Sequence, residues 1–244
     1  MRIIYLYILL FFCISISSCT KEGSDAPENK DQTGHEYFPL KTGNSLIYKV
    51  TEIVIDTKSE YFDTVRYFLR EVINEPFIDS EGDTAYRVEL FRKYEEDASW
   101  MIHKVWSARL TDKTAEKVEE NLRIVKMRFP VKLDIYWDGN IYNEFRKESS
   151  KPDSLFRITD VNYLYNSQYF DIDSCVMVRQ YYSESLIHKD LEYEIYASDI
   201  GLVYKENMHI NSQENISSEI PIEERPTTAT IYKQELIEIE HLTH

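Results

Sequence analysis

Three aromatic rings crowd a turn in Tyr136-Trp137-Asp138-Gly139-Asn140-Ile141-Tyr142-Asn143. Flat ring faces beside turn-forming polar groups are the ingredients of a carbohydrate platform or a ligand mouth. Tyr136, Trp137, Asn140 and Tyr142 are therefore the residues expected to face a ligand; the competing reading is a hairpin whose rings pack inward. Asp171 and Asp173 flank Ile172 and share a face if the segment is a strand, as the paired carboxylates of a glycosidase must. A solvated strand face alternates polar residues in the same way, and that is the reading preferred here. Asp79, Glu81 and Asp83, with Gly82 among them, open like a calcium loop, but the series stops after five residues and no bidentate glutamate follows at the required place. A hairpin turn explains it. The six histidines, His35, His103, His188, His209, His241 and His244, show no spacing that puts two ligands on one metal. No Gly-x-Ser-x-Gly elbow, phosphate-cradling glycine loop or Cys and His pairing is present. No cofactor or metal is expected, and binding or assembly is preferred to catalysis, with a hydrolase built on Asp171 and Asp173 ranked last.

One residue has a chemistry of its own. Met1-Arg2 precedes Ile3 to Ile16, fourteen residues without a formal charge, and Ile16-Ser17-Ser18-Cys19 resembles a lipobox, in which small residues before a cysteine allow cleavage by a lipoprotein signal peptidase. The apolar run falls short of the about twenty residues a membrane-spanning helix needs and ends in serines. Residues 1–18 are read as a removed export signal and Cys19 as the lipidated N-terminus. Several acyl chains hold a membrane stably where one does so only marginally. Thr20 stands where aspartate would favour inner-membrane retention, so by resemblance to Gram-negative sorting the expected address is the outer membrane, facing the periplasm or the cell surface. Cys13 leaves with the signal and Cys19 is acylated, so Cys175 is alone and no internal disulfide forms. Its apolar surroundings, Val176-Met177-Val178, mark a buried inert thiol.

A formal charge of −15, which becomes −16 when Arg2 is lost, comes with no cluster of Lys or Arg. Nucleic acid is a poor partner for such a field, because affinity for phosphates comes from basic contacts. Nineteen tyrosines and eleven phenylalanines favour strands. Residues 19–36 are polar after the cysteine and form a tether, which holds the body on the order of 20 Å from the bilayer. Residues 37–244 are read as one β domain.

Strand candidates follow in close order: Leu46 to Ile55, Tyr61 to Ile73, Tyr86 to Leu90, Trp100 to Leu110, Leu122 to Phe129, Leu155 to Tyr163, Cys175 to Tyr182, Leu191 to Tyr196, Leu202 to Glu206 and Thr230 to Ile239. Trp100 and Trp106 share a parity and are expected on one core-facing side. Asp112 to Asn121 fits a short helix or a strand extension, and His209 to Thr228 is expected to be the least ordered interior segment. Short links and the lack of helical crossovers predict a mainly β fold: one large antiparallel, curved sheet or half-barrel of roughly ten strands with little helix.

Tyr37-Phe38-Pro39-Leu40-Lys41-Thr42-Gly43-Asn44, Phe129-Pro130 followed by Trp137-Asp138-Gly139-Asn140, and Tyr196 to Glu206 together resemble a Bacteroidetes-type secreted lipoprotein family that carries no assigned activity. The resemblance implies a curved antiparallel sheet, similar in outline to the half-barrels of periplasmic lipoprotein carriers, which hold an acyl chain against a concave apolar face. The expected function is a lipid-anchored envelope protein that binds a hydrophobic or glycan ligand. The alternative is a structural component that docks another envelope protein through a sheet edge or apolar patch.

Overall fold

The computed structural model describes residues 33–144, 155–214 and 216–241; the signal segment, Cys19, most of the tether and His244 lie outside them. Gln32–His244 form one compact unit. Its strands are β1 (Asn44–Asp56), β2 (Tyr61–Ile78), β3 (Thr84–Lys93), β4 (Met101–Leu110), β5 (Thr114–Glu119), β6 (Leu122–Arg128), β7 (Tyr136–Trp137), β8 (Phe156–Asn166), β9 (Asp171–Glu184), β10 (His188–Ala197), β11 (Gly201–Asn211) and β12 (Thr228–His241). All join one antiparallel sheet in the order β6-β5-β4-β3-β2-β1-β12-β11-β10-β9-β8-β7. Among the described residues twelve strands stand where roughly ten were expected, and the sheet curls into a nearly closed barrel. The stretch left open between helix and strand is β5, joined to β6 through Glu120 and Asn121 at φ 50° and 65°. Positive φ at both central residues is what a two-residue hairpin turn needs to match strand twist.

Local chemistry explains most hairpins. Between β2 and β3, Asp79 accepts from the Glu81 and Asp83 amides at 2.9 and 3.0 Å, and Gly82 takes φ 89°. Pro76 is tolerated inside an 18-residue strand because it sits at the register shift after Ile73. The first and last strands pair at the middle of the sheet, Leu46 with Ile239 and Val50 with Gln234.

Irregularities decide which face each side chain takes. A bulge opposite Leu90 and Phe91 breaks the parity of β4, so Trp100 and Trp106 do not share a face. Trp106 lines the barrel interior, whereas Trp100 stacks on Arg70 and Lys93, each 4.9 Å from its ring. Asn162 and Ser174, at φ 53° and 57°, and three register shifts bend the β8–β9 hairpin. Its tip carries Tyr163, Tyr165, Phe170 and Ile172 onto the cluster that contains Cys175, Ile195 and Val203. Within the segment from His209 to Thr228, His209–Asn211 continue β11, and Arg225 donates to the carbonyls of Leu186, Ser217 and Ile220 at 3.0, 2.8 and 2.9 Å.

Closure of the barrel rests on β7 and the segment after it. The Trp137 indole N–H donates to the Val125 carbonyl at 2.7 Å, and the Val125 amide donates to the Gly139 carbonyl at 2.8 Å. The Asn143 amide copies a strand residue, accepting from Arg123 N at 3.2 Å and donating to Arg123 O at 2.9 Å. These bonds satisfy the outer edge of β6 and bring the two ends of the sheet together. Gly139 is required there, because an added Cβ would meet the Phe156 ring at 2.5 Å. We expect Gly139→Ala to destabilise the domain by about 1–3 kcal/mol through overpacking, measured by urea denaturation. A change under half that size would show that Phe156 yields without consequence.

Candidate functional site

The barrel lumen is lined by two unlike sets of side chains. Leu69, Ile73, Val88 and Leu90 on β2 and β3 present an apolar surface. Into the same lumen six ionisable side chains from five strands converge, Glu71, Lys117, Glu119, Lys126, Glu194 and Lys205, with Glu71 lying between Leu69 and Ile73 on β2 itself. Lys117 reaches Glu71 at 2.6 Å, Lys126 reaches Glu119 at 3.1 Å and Glu194 at 2.9 Å, and Lys205 reaches Glu194 at 3.3 Å. The Tyr196 hydroxyl donates to Glu194 at 2.6 Å. Lys126 and Glu194 are 3% and 2% exposed, deep enough that each charge depends on its partners. Burial alone would raise the Glu194 carboxyl, but Lys126, Lys205 and the Tyr196 hydroxyl outweigh it and hold the group well below the usual carboxylate range. Glu119 is lowered against burial by the same lysines and Lys117. Burial opposes the charge on Lys205, yet Glu194 and Glu119 raise it. All three groups are thus held charged, and the six balance one another.

Between these side chains lies a cavity of about 90 Å3. Phe38, Pro39 and Leu40 close it on one side. That is below the ~300–1,000 Å3 of ordinary ligand pockets, so this cavity is sized for a small molecule. Sequence reasoning missed the site because its lysines and glutamates look like solvated strand positions. The available signal was the alternation in β5, where Lys117 and Glu119 share the parity of buried Ala115.

The residues expected to face a ligand divide. Trp137 is buried at 6% and packs on Phe156, with centroids 5.9 Å apart, as part of the closure. Tyr136 and Tyr142 are exposed; Arg157 lies 5.0 Å from the Tyr136 ring and Arg123 lies 3.8 Å from that of Tyr142. Asn140 accepts from Asn143 Nδ2 at 3.2 Å and turns the chain. Asp171 and Asp173 are both exposed at the start of β9.

The carboxylates of the β2–β3 turn meet cations of the protein itself. Arg109 contacts Asp79, Glu81 and Asp83 at 2.9, 2.9 and 3.0 Å, and Glu116 accepts from Arg109 at 3.0 Å and Arg123 at 2.7 Å. Among the described residues, no group of three or more His, Cys, Asp or Glu is placed to hold a metal. Cys175 is fully buried, and desolvation pushes its thiol up to about 11. Because the thiolate is the reactive form, we expect iodoacetamide at pH 8 to leave Cys175 unmodified in the folded chain and to alkylate it in urea. Prompt labelling of the native protein, read by mass spectrometry, would contradict this.

Two solved structures align with the chain. One is a protein inferred to be exported, with a YmcC-like fold, from Bacteroides fragilis: 11% identity, 83% of this chain and 98% of that one covered, TM-score 0.41. The other is a protein inferred to be a lipoprotein, from Parabacteroides distasonis: 12% identity, 84% and 98% covered, TM-score 0.37. At these values the likeness carries no argument about role or address. No family model matches the sequence, and no curated protein does.

Proposed function

We propose that the chain is a lipid-anchored cell-envelope protein whose barrel is a non-catalytic binding module. Residues 1–18 direct export, Cys19 carries the lipid, and the polar tether to residue 36 presents the barrel, with the outer membrane as its address. The lipobox-like Ile16-Ser17-Ser18-Cys19 supports the anchor. The lumen carries the binding reading: apolar side chains mixed with a balanced set of six charges around a cavity is a poor way to fill a core, since a matched apolar filling would be as stable or more so. Exposed Tyr136 and Tyr142, each beside an arginine, provide a second surface suited to a glycan. We expect Cys19→Ser to abolish incorporation of labelled palmitate and to release the protein from the membrane fraction. Retention of the substituted protein in membranes would count against the anchor.

The alternative role, docking of another envelope protein, is favoured by one observation. β5 pairs with β4 only over Ser107 to Leu110, which leaves the edge of β4 from Met101 to Trp106 uncovered, with Met101, Ile102 and Val105 exposed. An uncovered strand edge pairs readily with an added strand. Crosslinking in whole envelopes from a photoreactive residue at Val105 tests it, and an absence of adducts would remove it.

A further inference from the structure

Within the lumen, donors remain after the ion pairs are made. Among the described residues Lys205 Nζ has one carboxylate, Glu194 at 3.3 Å. Lys117 Nζ has Glu71 at 2.6 Å and the face of Trp106 with its centroid 4.9 Å away. An ammonium offers three donors, so each of these lysines, both lining the cavity, has N–H bonds to spare. Leu69, Val88 and Leu90 also line the cavity and accept nothing. Charge narrows the class further: three lysines and three glutamates already balance, and a net charge added to a buried site lacks a partner. Size narrows it again. An apolar cavity of about 150 Å3 takes up benzene, so by proportion 90 Å3 holds a molecule of roughly four heavy atoms.

We propose that the lumen binds a small uncharged carbonyl compound, its oxygen accepting from Lys117 and Lys205 and its aliphatic part lying on Leu69, Val88 and Leu90. This rests on the binding-module reading and gives it a ligand class. Entry is past Phe38, Pro39 and Leu40. Among the backbone bonds of this segment, Phe38 N donates to the His35 carbonyl at 3.0 Å and none joins Pro39 or Leu40 to a strand, so side-chain packing closes that side.

Three probes of nearly equal shape separate the possibilities: acetone, acetate and isopropylammonium, each with four heavy atoms. They are titrated into the mature chain bearing Cys19→Ser, with the methyl resonances of Leu69, Val88 and Leu90 followed by NMR. Acetone is expected to shift these methyls saturably, with affinity at least tenfold above that of either ion. Leu90→Phe, which fills the cavity, is expected to remove the response, and Lys205→Gln, which keeps a single donor group, to weaken it at least threefold. A response to acetate equal to that of acetone overturns the ligand class and leaves the binding module standing. No saturable response to any probe, with the wild-type methyls well dispersed and folded, means that the lumen admits only water and overturns both. Should Lys205→Gln fail to fold, Leu90→Phe and the three-probe comparison decide the matter.

Discussion

Replacing Lys126 by methionine is expected to cost the domain about 3–5 kcal/mol, the scale for removing one partner of a buried ion pair. The ammonium is 3% exposed and stands between Glu119 and Glu194, so its loss leaves two carboxylates to Lys205, Lys117 and the Tyr196 hydroxyl. Against a total stability of about 5–15 kcal/mol, this is a large share. The pH dependence identifies the cause. In the wild type, Glu119 and Glu194 have depressed carboxyls, so the unfolded state binds protons that the native state refuses. Their contribution is present above the unfolded-state value of about 4.3 and is lost as the pH falls toward the folded values. In Lys126→Met the stranded carboxylates are relieved by protonation. The gap between the two proteins is therefore widest at neutral pH and narrows on acidification. Adding Glu194→Gln to Lys126→Met is expected to recover part of the loss at pH 7. Urea denaturation from pH 3 to 8 measures all of this, and a pH-independent gap, or a double variant as weak as the sum of its singles, would show that the pair is not coupled.

Trp137→Ala is expected to be comparably severe, about 3–5 kcal/mol, the range for truncating a buried aromatic, with a fall in Tm on the order of 10 °C. Two losses combine. The ring leaves a void against Phe156, and the Val125 carbonyl loses the indole N–H at 2.7 Å that joins the two ends of the sheet. The damage should be local before it is global: hydrogen exchange of the β6 amides, Val125 above all, should accelerate while the paired centre, β1 with β12, stays protected. Trp137→Phe keeps part of the packing and loses the hydrogen bond, and should fall between the two. A loss below about 1 kcal/mol for Trp137→Ala, or uniform exchange across the sheet, would refute the closing role.

The sequence by itself determined most of the strands and the turn at Asp79 to Asp83, because side-chain alternation, β-branched and aromatic composition, and turn residues act over a few positions and need no distant partner. It also marked the inert setting of Cys175. Tertiary structure alone decided the rest. Pairing of β1 with β12 joins residues nearly the whole chain apart, and no local pattern encodes a partner at that distance. Bulges reset parity, which is how Trp106 came to face the lumen and Trp100 the outside. Trp137 reads as a ligand platform in sequence and becomes a closing bond only when β6 is brought beside it. Six charges on five strands look solvated one at a time; curvature of the sheet brings them within hydrogen-bond reach of one another, and only there do they acquire the electrostatics of a site.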